Sequence, residues 1–297
     1  MFPIIPANSV TAASGNEGIF GYGSAGGLGS GITNLVSNAG VVASDVAGVG
    51  SARLYLAATE YGGDKGIFGF GYGSGGGTGV TNLVSNTGVV GSDVAGVGTG
   101  RYYPAACGYG GDKGIFGFGY NGGVSGVTNL VSNVGVVASD VSAVGTARFG
   151  PAACEYGEDK GIFGYGKTGS DVSMTNLVSN AGVVATDVTG VGTARQGLKA
   201  CKYGDDKGIF GYGNMVSMTN LVSNVGVVAT DTTGVGTARR YLGATQYGDD
   251  KGIFGFGTDG AIDYVSMTNL VSNTGVVASD VAGVGSAREA LAACSFN

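Results

Sequence analysis

The pattern of apolar and polar positions in this chain is organised by one stretch that occurs six times with small changes. In its third copy the stretch reads Lys113-Gly-Ile-Phe-Gly-Phe-Gly119, then Thr128-Asn-Leu-Val-Ser-Asn-Val-Gly-Val-Val-Ala-Ser-Asp140, then Val144-Gly-Thr-Ala-Arg148. The Ile residues that mark the six copies are spaced by 48, 48, 47, 47 and 44 residues. Self-similarity at a fixed period of this length indicates a repeat architecture.

Each copy predicts four short strands, which we label A to D. In the second copy they are residues 56–61, 66–71, 81–85 and 89–94, and Asn86-Thr-Gly88 forms a tight hairpin between the last two. Strand alternation puts Phe68 and Phe70 on one face of strand B and the glycines on the other. We therefore expect the rings of one unit to fit over the bare backbone of the next. No window shows a helical period.

Six units of four strands predict an all-β protein, a six-bladed β-propeller of four-stranded antiparallel blades. The last residues, Arg288-Glu-Ala-Leu-Ala-Ala-Cys-Ser-Phe-Asn297, match strand A in register but have no B, C or D after them. The first copy has B, C and D and only a poor candidate for A. We therefore expect the C-terminal strand to complete the first blade and close the ring. The predicted organisation is an N-terminal arm, 1–16, and a propeller, 17–297, with repeats 17–64, 65–112, 113–159, 160–206, 207–250 and 251–297.

All variation in length falls in one loop, between strands B and C. The distance from the Thr of Thr-Asn to the next marker Ile is always 34 residues, whereas the B–C loop ranges from 214–218 to 258–267. Loops absorb insertions and often carry binding residues. If the variation is functional, the face of the molecule that carries these loops is a docking surface. The alternative is that the loops vary because no partner contacts them. The candidate partner-binding residues are Leu28, Lys167, Asp171, Asn214, Met215, Ile262, Asp263 and Tyr264.

An aspartate lies eight residues before the arginine of every repeat. This constant spacing predicts a structural Asp–Arg ion pair across each D–A connection, rather than a ring of charge for a ligand. The pairs are Asp45 and Arg53, Asp93 and Arg101, Asp140 and Arg148, Asp187 and Arg195, Asp231 and Arg239, and Asp280 and Arg288.

The four cysteines occupy one position of the repeat, where two other copies have Thr59 and Thr245. A position that accepts Cys or Thr suits a small, partly apolar side chain, and equivalent residues of packed sheets are too far apart for a disulfide. We expect free, buried thiols. No cofactor and no metal site is expected, because the chain has no histidine, no CxxC and no alternating Asp loop.

Composition excludes several classes of function. The net charge is −6 and only 12% of residues are charged, so there is no basic surface for nucleic acid and no polybasic run for an anionic membrane. No apolar run approaches the 18 or so residues that span a bilayer, and the start has no secretory signal. Glycine makes up 63 of 297 residues without a period of three, which excludes collagen.

The order of arginine, small apolar strand, Ile-Phe-Gly-Phe/Tyr-Gly and variable loop is similar to the kelch repeat of β-propellers. The resemblance covers residues 17–297. It implies that the B–C and D–A loops share one face, that this face binds partners, and that the six arginines lie near it. The near-identical, glycine-rich copies also resemble kelch-like repeat proteins predicted in the virions of marine bacteriophages.

These observations predict a non-enzymatic structural or attachment protein of a phage virion, located in the virion after being made in a host cytoplasm. Its partners would be other structural proteins of the particle or a host surface receptor, with no nucleic acid and no membrane insertion. The alternatives are a cellular, cytoplasmic kelch-like interaction scaffold and a propeller enzyme. An enzyme would need one blade with unusual polar residues, and the departures Lys199, Lys202, Arg240, Asp263 and Tyr264 are scattered along the sequence.

Overall fold

The computed structural model describes residues 16–260 and 263–296, and over these residues the fold is all-β. Six antiparallel sheets of three strands follow one another, each with an inner, a middle and a third strand. Sheet 1 contains Ala292–Phe296, Glu17–Gly21 and Thr33–Val36; sheet 2 contains Ala57–Tyr61, Lys65–Gly69 and Thr81–Val84; sheet 3 contains Ala105–Tyr109, Lys113–Tyr120 and Val124–Val131; sheet 4 contains Ala152–Tyr156, Lys160–Gly164 and Thr175–Val178; sheet 5 contains Lys199–Tyr203, Lys207–Gly211 and Thr219–Val222; sheet 6 contains Gly243–Tyr247, Lys251–Thr258 and Tyr264–Val271.

The fourth predicted strand of each unit forms only isolated bridges. In sheet 2 the segment 89–94 touches the third strand at two pairs, Val84 with Val90 and Thr81 with Val94. We call this and its equivalents, 41–46, 136–141, 183–188, 227–232 and 276–281, the outer segments. The prediction of four regular strands was therefore wrong for strand D. The hairpin before it has the expected form, with Gly88 at a φ of 73°.

Sheet 1 takes its inner strand from the C-terminal end of the chain. Ala292–Phe296 pairs antiparallel with Glu17–Gly21, and Ile19 lies opposite Cys294. This pairing confirms that the last strand completes the first sheet.

Backbone hydrogen bonds connect the six sheets at the residue that lies two positions after each repeat arginine. The N–H of Tyr55 donates to the carbonyl of Ala290, and the N–H of Ala290 donates to the carbonyl of Tyr241. Through Gly197, Gly150 and Tyr103 the series then returns to Tyr55, with six distances of 2.7–3.3 Å. All six residues have a φ between 53° and 66°, a left-handed backbone that places each N–H against the neighbouring sheet.

Aromatic rings of one sheet pack on glycines of the sheet before it, as expected. A Cβ added to Gly21 would lie 2.7 Å from the Phe68 ring, and one added to Gly255 would lie 2.9 Å from the Phe20 ring. Phe70 departs from the prediction: Phe68 packs with Ile19 in one core cluster, whereas Phe70 packs with Phe116 in another. The cause is the φ of 62° at Phe70, which breaks the strand alternation and turns its ring to the opposite face.

The cysteines are free and buried, as predicted. Each cysteine sulfur packs on a middle-strand glycine of the next sheet; a Cβ at Gly161, for example, would lie 2.5 Å from the Sγ of Cys107. Burial raises the pKa of the Cys201 thiol to about 12, so these sulfurs are unreactive packing groups. No helix in the described part of the chain is long and apolar enough to cross a membrane.

Candidate functional site

The repeat arginines form one kind of buried node in every sheet. In sheet 4, Arg148 is fully buried and its Nε donates to the carbonyl of Tyr165 at 2.7 Å. Its other nitrogens donate to the Thr146 carbonyl at 3.1 Å and to Asn176 Oδ1 at 2.7 Å. The guanidinium also lies 4.1 Å from the ring centroid of Phe118 in sheet 3, a cation–π contact. With its donors satisfied inside the protein, this arginine joins two sheets.

The ion pairs have different partners from those predicted. Arg148 lies 3.9 Å from Asp187, and Arg53 lies 3.9 Å from Asp93; neither contacts the aspartate eight residues before it. The reason is that the D–A connection passes from one sheet to the next. The aspartate that precedes an arginine in sequence therefore belongs to the preceding sheet, and four arginines, Arg53, Arg148, Arg195 and Arg239, lie within 3.8–3.9 Å of the aspartate at the end of their own sheet.

The aspartate of each node is held ionised by neutral donors. Asp187 accepts hydrogen bonds from the hydroxyl of Thr146 at 2.6 Å and from Asn176 Nδ2 at 2.9 Å. Burial opposes ionisation of Asp187, but these hydrogen bonds and the charge of Arg148 outweigh it and lower its pKa. Gly145, at a φ of 81°, lets the backbone approach, because a Cβ there would lie 2.5 Å from the Asp187 carboxylate. The geometry is that of a closely packed structural contact between two sheets.

A series of cavities runs between the six inner strands, and we call it the central channel. One cavity of about 60 Å³ is lined by the middle residues of all six strands, including Ala58, Ala106, Ala153, Ala200, Ala244 and Ala293. Cavities of about 30 and 20 Å³ continue it in one direction, and one of about 180 Å³ continues it in the other. The two ends of this channel have different chemistry because the copies of the repeat differ there.

The tyrosine end of the channel is filled by Tyr55, Tyr103 and Tyr241. The ring centroids of Tyr55 and Tyr103 are 3.9 Å apart, and those of Tyr55 and Tyr241 are 5.4 Å apart. The other three sheets have Gly150, Gly197 and Ala290 at the same position of the repeat, which leaves room for the rings. Burial raises the pKa of the Tyr55 and Tyr103 hydroxyls.

An aromatic patch continues outward from the tyrosine end across sheets 2 to 4. It consists of Tyr72, Tyr102, Tyr103, Tyr120 and Phe149, and consecutive ring centroids around it are 5.1–5.7 Å apart. Tyr72 is 43% exposed, and the other four rings are half-buried. Bridges pair Tyr102 with Tyr120 and Phe149 with Lys167, so the patch borders the variable loops.

Tyr102 and Phe149 directly follow a repeat arginine. In sheets 5, 6 and 1 the residues at that position are Gln196, Arg240 and Glu289. The Arg240 guanidinium lies 5.0 Å from the Tyr241 ring centroid, and its Nε is buried without a hydrogen-bond partner. Burial raises the pKa of the Glu289 carboxyl, although the charge of Arg240 opposes the rise. One face of the molecule is therefore aromatic over three sheets and polar over the other three.

The carboxylate end of the channel, opposite the tyrosine end, carries Glu60, Glu155 and Lys202. These residues share one position of the repeat, and the other three sheets have Gly108, Gln246 and Ser295 there. Lys202 Nζ lies 3.8 Å from Glu155 Oε2, and the Ser295 hydroxyl donates to Glu60. The side chain of Glu155 fills the space above Gly108, where any side chain would meet its carboxylate.

Burial makes the carboxyl groups at this end hard to ionise. Burial and, to a smaller extent, the neighbouring Glu60 raise the pKa of Glu155 to about 8, although Lys202 opposes the rise. Burial also raises the pKa of Glu60. A carboxyl group of this kind can hold a proton near neutral pH.

The candidate residues of the variable loops are held by the fold to different degrees. Asp171 accepts a hydrogen bond from Asn214 Nδ2 at 2.5 Å, so the loops of sheets 4 and 5 are joined. Lys167 pairs with Asp171 in a bridge, Met215 is half-buried beside Asn214, and Leu28 lies in a two-residue strand with Gly29.

The variable loop of sheet 6 contributes the last candidates. Asp263 is exposed, and Tyr264 begins the third strand of its sheet. Ile262 lies outside the described residues, as does the predicted arm except for Asn16.

Three of the residues that depart from the repeat lie along the channel. Lys199 and Lys202 line the channel, and Arg240 borders its tyrosine end. The aromatic patch was missed altogether. One signal could have found both: outside the variable loops, the first and the seventh positions after each arginine carry the largest number of different amino acids among the six copies.

No group of three or more His, Cys, Asp or Glu side chains is placed to hold a metal ion among residues 16–260 and 263–296. No protein-family model matches the chain, and no curated protein is similar to it. The site must therefore be interpreted from its own geometry.

Proposed function

We propose that the six sheets are the blades of a closed six-bladed β-propeller of the kelch-like kind. Two features support this architecture. The series of six hydrogen bonds from Tyr55 through Ala290 returns to its start, and the Phe20 ring of sheet 1 packs on Gly255 of sheet 6 as Phe68 of sheet 2 packs on Gly21 of sheet 1. Sheets 6 and 1 are thus joined by the same contacts as sheets 1 and 2.

We propose further that the protein is a non-enzymatic structural or attachment component of a phage virion. It would dock through the face that carries the variable loops onto another particle protein or a host receptor. The aromatic patch carries this proposal, because Tyr and Phe are enriched at protein interfaces and supply large contact areas at low entropic cost. Its position beside the loops of varying length gives one part of the rim a different shape and chemistry from the rest.

Exposed apolar residues on the outer segments also favour work within an assembly. Six equivalent valines are 62–64% exposed: Val41, Val89, Val136, Val183, Val227 and Val276. Repeated apolar exposure of this kind is typical of proteins that contact other proteins.

The test is incorporation into particles. A tagged chain with Tyr72→Ser and Tyr102→Ser would be supplied during infection, and its abundance in purified virions measured by quantitative mass spectrometry. We expect a loss of about tenfold or more, because truncation at an interface hot spot costs ~2 kcal/mol or more.

The matched control is Val134→Ser with Val225→Ser, which changes two valines that are 70% and 69% exposed at the turns between third strands and outer segments. Equal incorporation of both variants would place the contact elsewhere on the molecule. Absence of the unaltered chain from purified particles would contradict the virion assignment itself.

A further inference from the structure

The residues before Asn16 contain two prolines that are three positions apart. They read Met1-Phe-Pro-Ile-Ile-Pro6, and residues 1–15 include no charged side chain. We call residues 1–6 the proline segment. Pro3 and Pro6 have no N–H to donate, so this segment is unsuited to pairing as a strand with an open sheet edge. Pro-x-x-Pro segments instead bind as polyproline II helices to grooves lined by aromatic side chains.

The aromatic patch is a surface of this kind. Its five rings carry no charge, and neighbouring rings meet at angles of 48–80°, so the surface is ridged rather than flat. In a polyproline II helix, residues three positions apart lie about 9 Å apart on one side. The patch extends across sheets 2 to 4, so it is long enough to receive both prolines.

The tyrosine hydroxyls of the patch can donate hydrogen bonds to a bound segment. A buried tyrosine such as Tyr165 donates its hydroxyl to a carbonyl of the protein, that of Val191, at 3.1 Å. Within residues 16–260 and 263–296 the hydroxyls of Tyr72, Tyr102 and Tyr120 have no such partner. The backbone carbonyls of a polyproline II helix are also unpaired, because this helix has no internal hydrogen bonds. The donors of the patch and the acceptors of such a helix are therefore complementary.

The chain reaches the proline segment from the end of the channel opposite the patch. Asn16 lines the cavity of about 180 Å³ at the carboxylate end, and its N–H donates to Asp249 Oδ1 at 3.1 Å. The channel cavities of about 20–60 Å³ between the two ends are too small for a polypeptide. The ten residues from Pro6 to Asn16 can extend to about 35 Å. That length reaches the tyrosine end of a second molecule placed against the carboxylate end of the first.

We propose that the aromatic patch binds the proline segment of a second copy of this chain. The contact is head to tail, with the carboxylate end of one molecule against the tyrosine end of the next. A contact of this kind leaves one patch and one proline segment free in every pair, so further molecules can add in a row. The inference rests on the proposed docking face and names the partner of that face.

The first test is the oligomeric state of the purified chain, measured by sedimentation velocity over a range of concentrations. In the unaltered protein we expect the average mass to rise with concentration. Pro3→Ala with Pro6→Ala removes the motif, and Tyr72→Ser with Tyr102→Ser removes two rings of the patch. Each of these double variants should remain monomeric.

A mixture of the two double variants tests the head-to-tail arrangement. Each variant keeps the half of the contact that the other lacks, so the mixture should form pairs that do not extend into longer rows. The matched control is Ser9→Ala with Thr11→Ala, which changes the same stretch without altering a proline and should associate as the unaltered chain does.

A dye-labelled peptide of residues 1–9 tests the contact directly by fluorescence anisotropy. It should bind the chain that carries Pro3→Ala and Pro6→Ala, and bind about tenfold or more weakly when the two tyrosines are also replaced. Tyr72→Ser alone, at the most exposed ring of the patch, provides a second variant if Tyr102→Ser is unstable.

Three results would overturn the proposal: an unaltered chain that is monomeric at every concentration, association that survives both double variants, or a mixture of the variants that forms no pairs. Peptide binding to a chain that never associates would place the proline segment on its own molecule and would equally overturn it. Because these measurements use purified protein, their failure would remove the second copy as partner without deciding whether the chain is incorporated into virions.

Discussion

The arginine nodes and the central channel differ in how the six copies use them. Every node has the same arginine, asparagine and aspartate, and all six arginines are at most 1% exposed. At the carboxylate end of the channel the same repeat position carries five different amino acids among six sheets. Repetition therefore maintains the contacts between sheets, whereas divergence is concentrated where six strands face a shared space. Four predictions test this division between a common scaffold and an individual centre.

The largest effect is expected from removing the strand that completes sheet 1. Deleting residues 289–297 exposes the edge of Glu17–Gly21 and removes Ala290 from the hydrogen-bond series. We expect unfolding or oligomerisation, measured by circular dichroism and size-exclusion chromatography. Replacing the 258–267 loop by the short 214–218 loop is the control and should leave a folded monomer. Similar melting of both proteins would contradict the role given to this strand.

Removing the arginine of one node should lower the free energy of unfolding by less than deletion of the strand does. The loss should still be larger than that from removing an ion pair at the surface. Arg148→Met leaves Asn176 Oδ1 and the Tyr165 carbonyl unpaired in the interior, so we expect a loss of about 3–5 kcal/mol in the free energy of unfolding. The control is Lys160→Met at the solvent-accessible Lys160–Asp159 pair, where little or no loss is expected because water screens the two charges. Urea denaturation measures both, and equal losses would show that the nodes are dispensable.

The loss of stability caused by a substitution in the channel should depend on the side chain of the neighbouring sheet. Gly108→Ala forces the Glu155 side chain from its place, and we expect a loss of about 1–3 kcal/mol. In the double variant Gly108→Ala with Glu155→Ala the second change should relieve most of that cost. Additive losses in a double-mutant cycle would mean that the two positions are independent.

The smallest effect is a change in the pH dependence of stability. The pKa of Glu155 is raised from 4.5 to about 8, so between those values the folded chain keeps a proton that the unfolded chain releases. Stability should therefore fall as pH rises through this window. Glu155→Gln should flatten that fall and melt higher at pH 8.5 than the unaltered protein, with little difference at pH 4.

The groups nearest to Glu155, Glu60 and Lys202, remain in that variant. The control is Glu158→Gln at an exposed position, which should reproduce the unaltered profile. A fall of unchanged steepness in Glu155→Gln would assign the pH dependence to another group.

The repeat itself allowed much of the fold to be predicted. The period located six units, the glycines opposite aromatic rings predicted close packing between sheets, and the match of the last residues to strand A predicted that they complete the first sheet. These features follow from the local sequence pattern, because the same pattern occurs in all six copies.

The errors arose where the sequence pattern does not define the path of the chain. Phe70 was assigned to the wrong face because its positive φ has no signal in an alternating strand. Each arginine was paired with the aspartate nearest in sequence because the crossing from one sheet to the next is invisible in spacing alone. The channel was missed because its charged residues, such as Glu60 and Lys202, are far apart in the chain and meet only through the arrangement of the six inner strands.

The pairing of residues 292–296 with residues 17–21 also constrains when the molecule can fold. The middle and third strands of sheet 1 leave the ribosome before any strand of the other five sheets, yet their partner strand follows all of them. Sheets 2 to 6 can assemble in order during translation, while the strand Glu17–Gly21 of sheet 1 still has an unpaired edge. Emergence of the last inner strand, rather than collapse of the first sheets, should then set the time at which the native state appears.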